Sequence, residues 1–264
     1  MKICFMNVNP ESVSGDFVKV LEKTLDPIKD EGTQIGFRFP KVGCNRATDF
    51  STSYFELLNK VQVIHAIIEA EKEGFDAVVV GCFFDTGVQE AREMVDIPVV
   101  GINEFSLSLA AQMGERCAIV GLHEPKINLQ LEHVMKKNSC GCNDWTKRII
   151  PIDLPSIEWM KNGINNVEVI AAEIEKAAKI GVKYGADMII IGCAGLGPLA
   201  SLAGLKEVEG TKVPILDPVS IGLKAAEFRV KLKNSLGLPP VSRAMKYQMP
   251  RSKDYERMKQ VFDL

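Results

Sequence analysis

The chain has 264 residues, 46% of them hydrophobic and 25% charged, with a formal net charge of −2. That length holds one large core or two smaller ones, since domains commonly run about 100–150 residues. The composition excludes a disordered chain, no basic block points to nucleic acid, and the longest apolar runs fall far short of the roughly 20 residues a membrane span needs.

The N-terminal MKICFMNVNPES lacks the apolar core and small-residue cleavage site of a signal peptide, so none is expected. Lys2–Met6 reads as the first strand. Over Tyr54–Glu73, Leu57, Val61, Ile64 and Ile68 recur at helical spacing, and Ser53 with Glu56 forms a capping box. Ala77–Val80 and Val99–Gly101 read as strands around a helix with Val88, Ala91 and Val95 on its apolar face, opened by Thr86 and Gln89 as a second capping box. Ala118–Val120 follows as a strand. Asn166–Tyr184 is predicted helical, with Val167, Ile170, Ile174 and Ala178 on one face, and Met188–Ile191 and Ile215–Leu216 are the last strands. The runs AVVV and MIII are apolar throughout, as in strands covered on both faces. Strands alternating with amphipathic helices predict an α/β protein with parallel sheets.

The chain also repeats itself. A helix, then EGFDAVVVGC, a turn and helix, then IPVVGINEFSLSLAA make up one half; a helix, YGADMIIIGC, a turn and helix, then VPILDPVSIGLKAA make up the other. KICFMNVNP and CAIVGLHEP open the two halves in the same way. The repeat predicts two similar α/β lobes facing each other across a cleft.

Each half places a Gly-Cys pair at the end of its apolar strand, at Cys82 and Cys193. The carboxyl end of a parallel strand is where open α/β sheets bind ligands. Cys193 precedes the backbone N–H groups of Ala194, Gly195 and Leu196, with Gly197 allowing a tight turn and Pro198 suited to a first helical position. A helix N-terminus lowers a thiol's pKa, and unpaired N–H groups hold an oxyanion. Two such thiols on opposite sides of one carbon would remove a proton from one face and deliver it to the other, which is racemisation without a cofactor. A free cysteine is often only a small buried hydrophobe; the matched pair shifts the reading toward chemistry. Cys4 and Cys117 fall in or beside strands and read as core. The odd total of seven cysteines, spread along the chain, predicts reduced thiols in a cytoplasmic protein.

The segments GCFFDTG, GCAGLGPLASL and IPVVGINEFSLSLAA resemble the aspartate/glutamate racemase superfamily, and more closely its hydantoin racemase branch, which includes allantoin racemases. The resemblance extends over nearly the whole chain, through NVNPES and the tail LGLPPVSR. It implies two Rossmann-like lobes with parallel sheets, related by pseudo-twofold symmetry, with the active site between them. The chain would return to the first lobe at its end, giving residues 1–102 plus 217–264 as one lobe and 103–216 as the other. It further implies that Cys82 and Cys193 are the acid/base pair of a cofactor-independent isomerase. Amino-acid racemases of the superfamily carry Asn-Thr and Thr-His after their two cysteines. Phe83-Phe84 and Ala194-Gly195 stand there here, so a neutral cyclic amide fits better than a free amino acid. The related arylmalonate decarboxylases keep only the second cysteine, whereas this chain has both. It departs from the branch at NVNPES, where N-P-N-T-S is usual, and at Phe84-Asp85-Thr86, where an acid-Asp-Pro ending is usual.

The expected reaction is racemisation of a 5-substituted hydantoin or allantoin-like ureide. Isomerisation or decarboxylation of a small dicarboxylate, and a non-catalytic small-molecule binding protein, stand as alternatives. The expected pocket comprises Asn7, Asn9, Phe83, Phe84, Asp85, Thr86, His123, Ala194 and Gly195. Asp85 either caps the following helix or binds a substrate N–H; Asn7 and Asn9 also serve as turn formers. His123 ends a loop, and His65 and His133 lie on helices as surface or boundary residues. Cys140 and Cys142 fit no zinc spacing, and no metal or cofactor is expected. GCAGLG lacks the dinucleotide order G-x-G-x-x-G, and no P-loop occurs. A small-molecule substrate and a homo-oligomer are the expected partners. The basic tail SRAMKYQMPRSKDYERMKQ reads as a solvated terminal helix.

Overall fold

In the computed structural model, residues 1–138, 149–156 and 165–262 are described; Cys140 and Cys142 lie outside them. The chain forms two sheets in which every pairing between named strands is parallel. The first contains β1 (Lys2–Met6), β2 (Gln34–Arg38), β3 (Ala77–Val80) and β4 (Val99–Gly101) in the order β2-β1-β3-β4. The second contains β5 (Cys117–Gly121), β6 (Ile149–Pro151), β7 (Met188–Ile191) and β8 (Ile215–Leu216) in the order β6-β5-β7-β8. The strand order is the same in both, which is the repeat legible in the sequence. β3, β5 and β7 are buried along their whole length, as their unbroken apolar runs require.

Among the described residues, the helices are α1 (Glu11–Ser14), α2 (Val18–Leu25), α3 (Ser53–Lys72), α4 (Val88–Met94), α5 (Ile102–Met113), α6 (Pro125–Asn138), α7 (Val167–Lys183), α8 (Leu196–Leu202), α9 (Pro218–Leu236) and α10 (Ser252–Phe262). Helix α9 follows β8 but packs on β1, β3, β4 and α5, so the chain comes back onto the first sheet.

Helix α3 is rotated from the face its periodicity predicts: Ile68 is buried and Ile64 packs against the core as expected, but Leu57 and Val61 do not. Asn59, Val63, Ile67, Ile68 and Ala70 are buried, whereas Leu57 and Val61 are exposed with Tyr54, Phe55 and Leu58. The helix is apolar on more than one stripe, and Asn59 selects between them. Its amide donates to Val8 O at 3.0 Å and its carbonyl accepts from Cys44 N at 2.8 Å, bonds that only an inward Asn59 can make. Neither predicted capping box forms. Thr52 is the N-cap of α3 without a side-chain bond, and Ser53 Oγ accepts from Gln130 Nε2 on α6 instead. Helix α4 starts after Gly87, whose φ of 75° is left-handed, and Thr86 points inward. Pro198 sits third in α8 rather than first, still within the first turn, where its missing N–H costs nothing.

The tail is only partly solvated. Arg243 donates to the carbonyls of Arg92, Val95 and Tyr247 and pairs with Asp96 at 3.2 Å, and the Tyr247 hydroxyl bonds Gln89. This strap holds the tail to α4, and α10 beyond it buries no residue. No helix of the described residues is long and apolar enough to cross a membrane.

Candidate active site

Both Gly-Cys pairs are built in the same way. The N–H of Gly81 donates to Met6 O and the N–H of Gly192 to Val120 O, each at 2.8 Å, so each glycine extends its strand pairing by one step. A Cβ on Gly81 would lie 2.4 Å from the Phe5 ring, and one on Gly192 would lie 2.6 Å from Ile119 Cγ2. Close packing against the neighbouring strand therefore demands glycine, and the next residue emerges at the carboxyl edge of the sheet.

The two edges share one cavity of about 270 Å³, near the lower end of the roughly 300–1,000 Å³ typical of small-molecule sites. Gly81, Cys82, Phe83 and Phe84 line it from the first lobe; Gly192, Cys193, Ala194 and Gly195 line it from the second. Asn7 and Asn9 also face it, from the loop after β1. Asn9 Nδ2 is held by Cys44 O at 2.7 Å, and Asn7 Nδ2 approaches Arg38 O at 3.4 Å. Phe84 stacks on Phe50 with centroids 6.1 Å apart and planes 13° from parallel, forming an aromatic wall. Asp16 is the one charged residue among the described lining; no Lys, Arg or His is there.

Three residues expected in the pocket lie outside its lining. His123 is exposed, its Nδ1 3.9 Å from Asp153 Oδ1. Asp85 points away because its carboxylate accepts from the backbone N–H groups of Asn103 and Glu104, each at 2.9 Å. It therefore caps α5, the helix after β4, rather than its own. Burial and the nearby Glu104 push its pKa up to about 7. Thr86 is fully buried behind the cavity wall. His65 is half-buried and His133 exposed, while Cys4 and Cys117 are core.

Placement before a helix predicts lowered thiol pKa values; the structure reverses the sign. Burial above all, with smaller contributions from Cys193 and Glu56 when charged, pushes Cys82 up to about 12 against the opposing Phe84 N–H and Thr86 hydroxyl. Cys193 is also raised by burial, against the N–H groups of Leu196 and Gly195, the latter 3.3 Å from its Sγ. The reason is burial, which outweighs the nearby N–H groups at both sulfurs; at Cys82 the helix N-terminus is also remote, since α4 begins only at Val88, beyond a turn. The resting pair is thus two thiols, each with donors ready for a negative charge.

Sequence reasoning missed much of the lining: Val13, Phe17, Leu21, Phe50, Leu122 and Asn128. Aligning Pro10 with Pro125 across the repeat would have paired Val13 with Asn128. Phe50 has no comparable signal, since its segment Ala47–Ser51 is a 3-10 turn with no counterpart visible in the sequence. Among the described residues, no cluster of three or more His, Cys, Asp or Glu could hold a metal ion.

The profile of the family described as Asp/Glu/Hydantoin racemase matches residues 3–226. A hydantoin racemase from Pseudomonas sp. (strain NS671) is 30% identical over 248 residues, spanning 94% of this chain and 92% of the relative. One from Paenarthrobacter aurescens is 31% identical over 206 residues, spanning 77% and 80%. Among solved structures, an allantoin racemase from Klebsiella pneumoniae superposes with a TM-score of 0.77 at 23% identity, covering 96% of this chain and 94% of its own. One from Pseudomonas fluorescens gives 0.73 at 22% identity, covering 95% and 97%. At those identities the superpositions speak for the two-lobed fold.

Proposed function

The chain belongs to the Asp/Glu/Hydantoin racemase family, and on that premise we propose that it racemises a neutral cyclic ureide, a 5-substituted hydantoin or an allantoin-like compound, with Cys82 and Cys193 exchanging the proton. The observation that carries this reading is that the two Gly-Cys strand ends converge on one cavity. In the reaction, one sulfur as thiolate takes the proton from the carbon beside the ring carbonyl, and the other, as thiol, returns one to the opposite face. The charge passes into an enolate, which the N–H groups after each cysteine would serve as donors. Burial, which makes a resting thiolate costly, also strengthens those donors once charge is present.

The wall argues against the alternatives. A dicarboxylate or free amino acid would bring carboxylates to a lining whose described residues include no Lys, Arg or His, and buried unpaired charge is strongly disfavoured. A neutral ring with an apolar substituent meets Phe84, Phe50, Leu21 and Leu199 instead. The relatives named hydantoin racemase support the same class.

The test is isotope exchange in D2O with single-enantiomer 5-substituted hydantoins and with allantoin. Deuterium wash-in should accompany loss of optical rotation, and Cys82→Ser and Cys193→Ser should each abolish racemisation. Full racemisation by either variant would remove the two-base assignment.

A further inference from the structure

We propose that Thr86 is a positioning residue for Cys82, its hydroxyl donating a hydrogen bond to the sulfur that is made when the thiol has lost its proton. The proposal rests on the reading of Cys82 as an acid/base group and adds how that sulfur is held in its anionic form.

The loop geometry places Thr86. Asp85 N donates to Cys82 O at 2.9 Å and Val88 N to Asp85 O at 3.1 Å, so the segment folds back on itself twice. Asp85 at φ 51° and Gly87 at φ 75° are both left-handed, and the residue between them is turned into the protein. Thr86 is 0% exposed, and its Oγ1 is a buried polar atom that makes no well-formed hydrogen bond. Buried hydroxyls are seldom left unpaired, and each exception calls for an explanation. The acceptor it faces is the Cys82 sulfur. A thiol is a weak acceptor and a thiolate a strong one, so a donor idle in the resting state is used once the charge forms.

The titratable groups facing Cys82 are Glu56 on α3 and Cys193 on the other lobe, and each opposes its ionisation when charged. Against them stand the Phe84 N–H and the Thr86 hydroxyl. The second lobe has no such hydroxyl: Gly197 occupies the position matching Thr86, and Cys193 relies on the N–H groups of Gly195 and Leu196. Thr86 does not line the cavity, so its action runs through the sulfur and not through substrate.

The experiment reads Cys82 directly, without substrate. In a Cys193→Ser background, iodoacetamide alkylation of Cys82 is followed by peptide mass spectrometry from about pH 6 to about pH 10. Thr86→Val keeps the shape and removes the hydroxyl; Thr86→Ala removes it with a smaller side chain; Thr86→Ser restores it. Loss of a donor that favours the thiolate lowers the thiolate fraction at a given pH and only partly regains rate through greater nucleophilicity, so alkylation of both the Val and Ala variants should fall several-fold and that of Ser should stay within about twofold of the parent. In the enzyme with Cys193 intact, the pH profile of racemisation should move to higher pH in Thr86→Val and return in Thr86→Ser. Alkylation unchanged by removal of the hydroxyl, or equally slow in Thr86→Ser, overturns the proposal. A shifted alkylation profile supports it even where no ureide is turned over, which would count against the proposed substrate alone.

Discussion

Gly101→Ala tests how the cysteine loop is fixed. A Cβ at residue 101 would lie 2.5 Å from Asp85 Cγ and 2.6 and 2.7 Å from its two oxygens. The backbone at 101, with φ −85° and ψ 126°, is open to any residue, so the cost comes from contact alone. The Asp85 carboxylate must move, and its bonds to Asn103 N and Glu104 N go with it. Losing a helix cap costs about 1–2 kcal/mol and overpacking about 1–3 kcal/mol, so the single variant should lose roughly 2–4 kcal/mol in urea unfolding. Asp85→Gly loses the cap but vacates the space and suits the left-handed φ of 51°, for a net loss of about 1–2 kcal/mol. In that background Gly101→Ala should add almost nothing. The double-mutant cycle then shows a coupling of roughly 2–4 kcal/mol, the whole loss of the single variant. Additive losses, agreeing within about 0.5 kcal/mol, would refute the view that Gly101 exists to admit the Asp85 carboxylate.

Three further outcomes are expected. The native protein binds the Asp85 proton more tightly than the unfolded chain, with a pKa of about 7 against about 3.9. Its stabilising contribution is complete below about pH 4 and is lost as pH rises through about 7; the unfolding free energy of wild type relative to Asp85→Asn should shrink across that window, and a gap that widens with pH contradicts the assignment. Arg243→Ala leaves the carbonyls of Arg92 and Val95 without their guanidinium donor, so it should cost about 1–3 kcal/mol and speed proteolysis of the tail after residue 243; unchanged cleavage would show that the strap does not hold it. Phe84→Ala removes the ring stacked on Phe50 and should raise KM for a hydantoin with an aromatic substituent several-fold while leaving kcat within about twofold; a fall in kcat at constant KM would place Phe84 in the chemistry instead.

The central strands were legible because they are buried on both faces and so read as unbroken apolar runs. Of the edge strands, β4 and β8 were legible and β2 and β6 were not. β2, QIGFR, is nowhere fully buried, and β6 has three residues ending in a proline; at a sheet margin neither needs a continuous apolar signal. Helix α3 was found but rotated, because Leu57 and Val61 keep helical spacing as well as Val63 and Ile67 do, and a polar residue decided between them. In the site, Cys82 and Cys193 stood out because the repeat marks them twice. The fate of Asp85 did not stand out: a short acid near a helix start reads as that helix's own cap, and only the third dimension shows which N-terminus lies closer. The sign of the thiol pKa failed for a related reason. Helix proximity can be read from sequence, whereas the depth of burial that outweighs it cannot.

The two lobes solve one problem by opposite means, and this bears on the site. Helices α5 and α9 each leave the last strand of a sheet, β4 and β8, and each needs an acceptor for its first N–H groups. In the second lobe the acid comes from the strand end: Asp217 accepts from Val219 N at 3.0 Å and bonds Ser201 and Ser220. The cysteine loop makes room, since a Cβ on Gly197 would lie 2.2 Å from Asp217 Oδ1. In the first lobe the roles are exchanged: the acid is on the cysteine loop at Asp85, and the strand end makes room at Gly101. Either arrangement caps the helix, so stability alone would tolerate both. The exchange does, however, make the two cysteine loops different. The loop after Cys82 carries an inward Asp-Thr turn, and the loop after Cys193 runs straight into α8. Two sulfurs that a perfect repeat would make equivalent thereby differ in their surroundings: the Phe84 N–H and, on the proposal above, the Thr86 hydroxyl serve Cys82, and the N–H groups of Gly195 and Leu196 serve Cys193. In the proton exchange proposed above, which needs one base and one acid at any instant, that inequality would let one sulfur give up its proton without forcing the other to do the same.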